Sequence, residues 1–280
     1  MILLDPVIGV TLVVLAGVFG LLIGSFLNVV VWRLPRGESL SHPGSACPKC
    51  GHSIRWWDNL PVLSWLILRG KCRDCGEPIS TRYPAVEAFI GLFFAGIAWW
   101  VLSGGLALDS EIAIILATAA FLYLGAISTA LALIDLDVHR LPNKIVLPAY
   151  VVGVLLLGAA SIVEGDFGQL LRAVIGAAIL FVAYFLMAIV YPAGMGFGDV
   201  KLAGVLGLYL AWLGWGELAV GAFAAFVLGG VFSLVLLLLK RVSRKSGIPF
   251  GPWMLAGAWL GTFAGGIISE RYLALFGLGM

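Results

Sequence analysis

Charged residues are scarce in this sequence. Only 11% of the 280 residues are Asp, Glu, Lys or Arg, whereas 61% are hydrophobic, and the mean hydropathy is +1.08. A soluble domain carries about a quarter charged residues, so this composition excludes that class and indicates an integral membrane protein in contact with the lipid bilayer. The net charge is only +2, and no basic stripe with interleaved aromatic residues is present, so we expect no nucleic-acid partner.

Histidine and the common nucleophile motifs are scarce as well. The three histidines, His42, His52 and His139, form no ligand-cluster motif, and no G-x-S-x-G motif occurs. The sequence therefore contains no sign of a histidine-rich catalytic metal centre or of a serine hydrolase.

Long apolar runs are abundant. A membrane-spanning helix needs about 20 mostly apolar residues, and we predict eight spans, with seven as the alternative because the sixth run is short and could be half-buried. The first run has no basic flank and no small-residue cleavage site, which favours a retained span over a signal peptide. The predicted fold is an all-α polytopic helical bundle with spans at about 7–32, 84–103, 111–134, 145–163, 170–191, 201–216, 217–239 and 251–268.

The basic residues predict the orientation. In the eight-span topology, all Lys and Arg residues except Arg172 and Arg271 fall on one side, including Arg241, Arg244 and Lys245 after the seventh run. An excess of Lys and Arg in short loops marks the cytoplasmic face. We therefore expect the N-terminus outside, and the polar 33–83 loop in the cytoplasm.

All four cysteines lie in that loop, within CPKCG (47–51) and CRDCG (72–76). Two C-x-x-C pairs have the spacing of a four-cysteine structural zinc site, and cytoplasmic thiols stay reduced. A redox dithiol or unligated cysteines are the alternatives, and His52 is a further candidate ligand. The Trp- and Leu-rich stretch between the pairs could lie at the membrane interface. The predicted organisation is a first transmembrane helix (1–32), a cytoplasmic zinc-binding domain (33–83) and a transmembrane bundle (84–280).

Three acidic residues lie at predicted cytoplasmic ends of spans. Asp135 and Asp137 occur in ALIDLDVHRLPN (132–143), and Asp199 occurs in GMGFGDVKL (194–202). Ionisable groups at membrane depth indicate function. Residues two apart are about 200° apart around a helix, so only one of Asp135 and Asp137 can face a shared site with Asp199. Two facing carboxylates share one proton and can activate water for peptide hydrolysis.

Three classes of protein are compatible with these acids. They are an aspartic peptidase, a transporter or ion-binding bundle, and a non-catalytic assembly protein that docks through the zinc loop. A transporter should carry its acids nearer the middle of the bilayer. The glycines before Asp199 favour a close approach of backbone to a substrate segment.

Nearly the whole chain resembles the bacterial type IV prepilin peptidases, which are intramembrane aspartic proteases of the G-x-G-D class. The resemblance is carried by residues 24–40, 43–87, 132–143, 194–202 and 248–254.

The resemblance implies catalytic roles for Asp135, which opens D-x-D-x-x-x-x-P, and for Asp199, which closes G-x-G-D. It also implies an active-site loop containing Gly196 and Gly198, and a structural zinc ion bound by Cys47, Cys50, Cys72 and Cys75. The implied substrates are type IV prepilins and type II secretion pseudopilins, cut on the cytoplasmic side of the inner membrane. The resemblance further implies that the new N-terminal residue is methylated from S-adenosylmethionine, for which no binding motif is visible.

Overall fold

The computed structural model describes residues 5–191, 194–240 and 248–277. Arg241, Arg244 and Lys245, which contribute to the predicted topology, lie outside the described residues. Throughout the described ranges the regular structure is helical, with two isolated β-bridges and no named strand. The α-helices are α1 (Pro6–Arg33), α2 (Leu63–Ile67), α3 (Arg82–Trp100), α4 (Glu111–Val138), α5 (Asn143–Glu164), α6 (Phe167–Val190), α7 (Phe197–Leu213), α8 (Trp215–Leu238) and α9 (Gly251–Ala274).

Six of these helices are long and apolar enough to cross a membrane: α1, α3, α4, α5, α6 and α8. This confirms the prediction of an all-α, multi-pass membrane bundle. The long helices α7 and α9 overlap the sixth and eighth predicted spans. That these two helices also cross the bilayer stays a prediction. The sixth run was expected to be short, and α7 has 17 residues.

Two compact units make up the chain. The first contains Met1–Gly104 with Phe121–Ala130, and the second contains Gly105–Ala120 with Leu131–Met280. In the first unit α1 crosses α3 with little space between the backbones. A Cβ atom added to Gly20 would lie 2.6 Å from the carbonyl oxygen of Ile90, and one added to Gly24 would lie 2.7 Å from Cα of Glu87. Small residues at this crossing therefore set how closely the two helices pack.

In the second unit α7 is the most enclosed helix. From Val200 to Trp212 every residue except Lys201 is buried. Its contact with α6 depends on glycine, because a Cβ at Gly207 would lie 2.4 Å from the carbonyl oxygen of Gly176.

The end of α7 is held by polar side chains from its neighbours. Arg172 donates to the carbonyl oxygens of Ala211 at 2.6 Å and Trp212 at 2.8 Å. The indole nitrogen of Trp212 donates to Oγ of Ser161 at 2.9 Å. The two bonds from Arg172 satisfy carbonyls in the last turn of the helix, which have no partner within it, and the Trp212 bond ties the same end to α5.

Candidate functional site

The four cysteines come together in the first unit. Their sulfur atoms all lie within 4.8 Å of one another, and Sγ of Cys47 is 3.7 Å from Sγ of Cys75. In a tetrahedral zinc site with Zn–S bonds of about 2.3 Å, neighbouring sulfurs are about 3.8 Å apart. The geometry and the ligand chemistry of this cluster therefore fit one tetrahedral metal ion.

Each cysteine pair is shaped by the same local turn. The amide of Gly51 donates to the carbonyl of Cys47, and that of Gly76 donates to the carbonyl of Cys72, both at 2.9 Å. Both glycines adopt left-handed conformations, with φ of 72° and 73°. A side chain would be strained there, so glycine after each C-x-x-C is a conformational requirement.

The cysteine thiols have unequal pKa values. Amides of Cys50 and Lys49 donate to the Cys47 sulfur, and they are the main reason that its pKa falls to about 6. At Cys75 the amide of Glu77 lowers the pKa, but desolvation and the three neighbouring thiols outweigh it and raise the pKa to about 12. Four thiolates crowded together need a cation to share their charge, as a bound metal ion would supply.

Ion pairs brace the segment between the cysteine pairs. Arg73 donates to both carboxylate oxygens of Asp58, with Nη2 to Oδ1 at 2.6 Å and Nε to Oδ2 at 2.8 Å. This bidentate contact lowers the pKa of Asp58. Nζ of Lys49 lies 2.6 Å from Oε2 of Glu77, linking the first cysteine turn to the end of the second.

An apolar surface on the same loop is exposed. It consists of Trp56, Leu63, Leu66 and Ile67, each more than half exposed. Its placement at the membrane interface stays a prediction.

The second candidate site lies in the second unit and starts from Asp135. This residue is in the last turn of α4 and only 6% exposed. Its Oδ2 accepts a hydrogen bond from the amide of Gly251 at 3.1 Å. Asp137, two residues on, is exposed. The structure therefore turns one of the two acids inward and the other outward.

Asp199 lies in the first turn of α7 and is half-buried. Its Oδ2 accepts a hydrogen bond from the amide of Gly196 at 3.1 Å, while its own amide donates to the carbonyl of Gly196 at 3.0 Å. Gly196 is the residue just before α7, and Gly198 is inside its first turn. Both carboxylates thus receive a glycine amide at a helix N-terminus, where negative charge is stabilised.

Leu141 lies beside a glycine of each carboxylate site. A Cβ on Gly198 would lie 3.0 Å from Cβ of Leu141, and a Cβ on Gly251 would lie 3.3 Å from Cδ2 of the same leucine. Gly251, whose amide binds Asp135, and Gly198, which precedes Asp199, thus lie against the same leucine, so the two carboxylates are neighbours. Two such neighbours favour the state in which one is protonated and the other ionised.

An aromatic cluster and a polar contact adjoin the segments that carry this pair. Tyr184, Phe226 and Phe250 pack together, with ring centroids 5.3 to 6.4 Å apart, and Tyr184 is within electrostatic reach of Asp199. Nζ of Lys201 donates to Oδ1 of Asn143 at 2.9 Å, which ties the start of α7 to the start of α5.

Sequence reasoning assigned no role to Gly251 or Leu141. A signal for Gly251 was present, because Pro252 follows it and proline is favoured in the first turn of a helix, where free amides point outward. For Leu141 no local signal exists, since its role depends on contacts with residues far along the chain.

The fold and the two sites define a class: a polytopic helical membrane protein with a paired-carboxylate site and a four-cysteine site that could hold a metal ion. Models of two protein families match the chain. The bacterial peptidase A24 N-terminal domain matches residues 18–101, which include the four cysteines, and the type IV leader peptidase family matches residues 121–234, which include Asp135 and Asp199.

Curated relatives agree with these matches. The chain is 35% identical to a prepilin leader peptidase/N-methyltransferase of Stutzerimonas stutzeri, covering 93% of each chain. It is 36% identical to one of Pseudomonas putida over 95% of each chain, and 35% identical to one of Neisseria gonorrhoeae over 88% of each. No solved structure matches significantly. The chain belongs to the type IV leader peptidase family.

Proposed function

We propose that this protein cleaves the leader peptide of type IV prepilins and related pseudopilins, with Asp135 and Asp199 as the catalytic carboxylates. The observation that carries this proposal is the pairing of two acids from distant parts of the chain, each fixed at Oδ2 by a glycine amide. A transporter is not favoured, because both acids lie at helix ends and the family is one of peptidases.

The pair would work as a unit. The ionised carboxylate takes a proton from a water molecule, and the protonated carboxyl donates to the scissile carbonyl oxygen. Because the Gly196 and Gly251 amides engage Oδ2 of each acid, we assign the two Oδ1 atoms to water and substrate. Gly196 and Gly198 would let the extended substrate backbone approach Asp199 closely.

We assign zinc to the four-cysteine cluster, in a structural role. Four thiolates close a tetrahedral coordination sphere and leave no position for a reacting water. The ion would hold the two cysteine turns together in a loop that has little core of its own, with Cys47 as its only buried cysteine.

We further propose that the enzyme methylates the new N-terminal residue from S-adenosylmethionine, since its curated relatives are named as N-methyltransferases. Its place would be the bacterial inner membrane, with the carboxylates and the cysteine loop facing the cytoplasm. The basic residues favour this orientation, since they mark the cytoplasmic side.

One experiment tests both activities. Detergent-solubilised protein is incubated with a prepilin and S-adenosylmethionine, and the product mass is measured. Loss of a leader-sized fragment is expected, followed by a gain of one methyl mass. An intact prepilin would contradict the peptidase assignment, and a cleaved product without added methyl would contradict the methyltransferase assignment.

A further inference from the structure

Glu87 holds the segment before α2 against the membrane helices. The residue is only 9% exposed, and its Oε2 accepts a hydrogen bond from the amide of Val62 at 2.7 Å. It also lies at the crossing of α1 and α3, where a Cβ on Gly24 would be 2.7 Å from its Cα atom. Burying a carboxylate costs free energy unless it is hydrogen-bonded, and this one belongs to neither the carboxylate pair nor the cysteine cluster. Its contact with Val62 fixes the start of α2, which begins at the next residue.

The position of Glu87 along α3 sets the depth of that contact. α3 and the helical turn that continues it cover Arg82–Gly105, 24 residues, or about 36 Å at 1.5 Å per residue. The hydrocarbon core is about 30 Å thick. Even if the whole excess of about 6 Å projects on the loop side, Glu87 is about 7.5 Å along the axis from Arg82 and reaches the edge of the hydrocarbon. Long side chains on a helix lean toward its N-terminus, here the loop side, so Val62 lies in the interfacial layer between that edge and the start of α3.

The inner face of α2 is fixed to the rest of the loop. Ser64 is 6% exposed, and its Oγ donates to the carbonyl oxygen of Leu60 at 2.8 Å. The indole nitrogen of Trp65 donates to the carbonyl oxygen of Ile79 at 3.0 Å. Residues three and four apart share a face of a helix, so the opposite face of α2 points away from the loop. This apolar face of α2 consists of three side chains that are each more than half exposed: Leu63, Leu66 and Ile67.

An exposed tryptophan and two cations adjoin this apolar face. Trp56 is 76% exposed and belongs to a helical turn that contacts α2. Arg69 and Lys71, which follow α2, are exposed, and neither forms an ion pair within the described ranges. Indole rings favour the membrane interface, and basic residues beside an apolar helix face bind anionic headgroups. The surroundings of the apolar face therefore have the composition of a membrane-bound surface.

We propose that α2 lies in the interfacial layer of the bilayer, with its apolar face inserted toward the lipid acyl chains and Glu87 as the positioning residue that holds it there. Backbone at this depth needs hydrogen-bond partners within the protein, and the Glu87 carboxylate supplies one to the Val62 amide. Because Val62 lies at interfacial depth, the partner of the apolar face is lipid with anionic headgroups. The cysteine loop is then attached to the bilayer at a third point, besides the ends of α1 and α3.

Site-specific photocrosslinking identifies what covers the apolar face. Benzoylphenylalanine, which reacts with nearby C–H bonds on illumination, replaces Ile67 in the full-length protein, and the protein is reconstituted in vesicles of phosphatidylethanolamine and phosphatidylglycerol. The expected product is a lipid adduct, detected by mass spectrometry. The same replacement of Leu22, which is 55% exposed inside α1, is the positive control. Lys49, whose charged side chain is 67% exposed, is the control for a position in water and should give no lipid adduct.

Three results at position 67 would overturn the proposal. A product of twice the protein mass would show that a second copy of the chain covers the face. An adduct with added prepilin, but none with lipid, would show that a substrate segment covers it. The absence of any adduct, as at Lys49, would show that the face is in water.

Variants of Glu87, combined with benzoylphenylalanine at position 67, test the positioning role. Glu87→Gln keeps an acceptor oxygen for the Val62 amide, so the lipid adduct should persist. Glu87→Leu removes the acceptor, so the adduct should be lost while the metal content of the cysteine cluster stays at the wild-type level. Glu164→Leu is the matched control, because Glu164 also accepts backbone amides but belongs to the second unit, and it should keep the adduct. Persistence of the adduct in Glu87→Leu, or loss of metal together with the adduct, would contradict a role of Glu87 in positioning α2.

Discussion

The four-cysteine cluster takes its ligands from two five-residue turns, whereas the carboxylate pair takes its parts from helix ends far apart in the chain. Asp135 and Gly251 are 116 residues apart, and Leu141 lies beside both Gly251, whose amide binds Asp135, and Gly198, which precedes Asp199. The cysteine turns are each closed by their own glycine. A substitution in the cluster should therefore act locally, whereas one near the carboxylates should act on geometry that several helices share.

The largest expected effect is loss of the carboxylate chemistry. Asp135→Asn and Asp199→Asn should each reduce leader cleavage by about 10³-fold or more, since a positioned acid or base contributes about 10²- to 10⁴-fold. Prepilin binding should persist in both. Cleavage is followed by gel mobility and mass. Asp137→Asn is the matched control, because Asp137 is exposed at the same helix end. Near-normal cleavage by Asp135→Asn or by Asp199→Asn would contradict the two-carboxylate mechanism.

A comparably large but local effect is expected in the cysteine loop. Cys72→Ser should lower zinc from about one ion per chain to well below that, because a structural site needs all four thiolates. The loop should then become sensitive to protease, since metal binding and loop folding are coupled. His52→Ala should retain zinc, as His52 is exposed and contributes its backbone carbonyl to the turn. Unchanged zinc in Cys72→Ser by elemental analysis would refute the four-cysteine assignment.

The same contrast explains what the sequence could predict. Cysteine spacing fixes the turn chemistry, so the convergence of the four sulfurs was foreseeable, as were the apolar helices. Helix geometry predicted that only one of Asp135 and Asp137 faces inward. It did not determine which of the two does so. The support from Gly251 and Leu141 depends on how α4, α7 and α9 pack, which no local pattern encodes. The sequence also does not determine whether α7 spans the membrane. A helix that is buried by its neighbours can be short, so its length does not decide the question.

A smaller effect on leader cleavage is expected when a carboxylate is displaced but both carboxylates are still present. A Cβ on Gly251 would lie 2.7 Å from Oδ2 of Asp135, so Gly251→Ala should displace that carboxylate and reduce cleavage about 10- to 100-fold, as misplacements of about 1 Å do. Gly230→Ala is the control, because nothing lies within 4 Å of its added Cβ. Equal cleavage rates in the two variants would show that the Gly251 amide does not position Asp135.

The smallest effect is expected from the ion pair that links the two cysteine turns. Lys49 and Glu77 are 67% and 37% exposed at their side chains, although their 2.6 Å contact is short. Water screens such a pair, so Lys49→Met should shift the melting temperature by less than about 2 °C and leave the zinc content unchanged. Glu77→Gln, which removes the other partner, should behave in the same way. A loss of zinc in either variant would mean that the two turns depend on contacts beyond their own backbone bonds and the metal. The cysteine cluster would then share with the carboxylate site a dependence on contacts between distant parts of the chain.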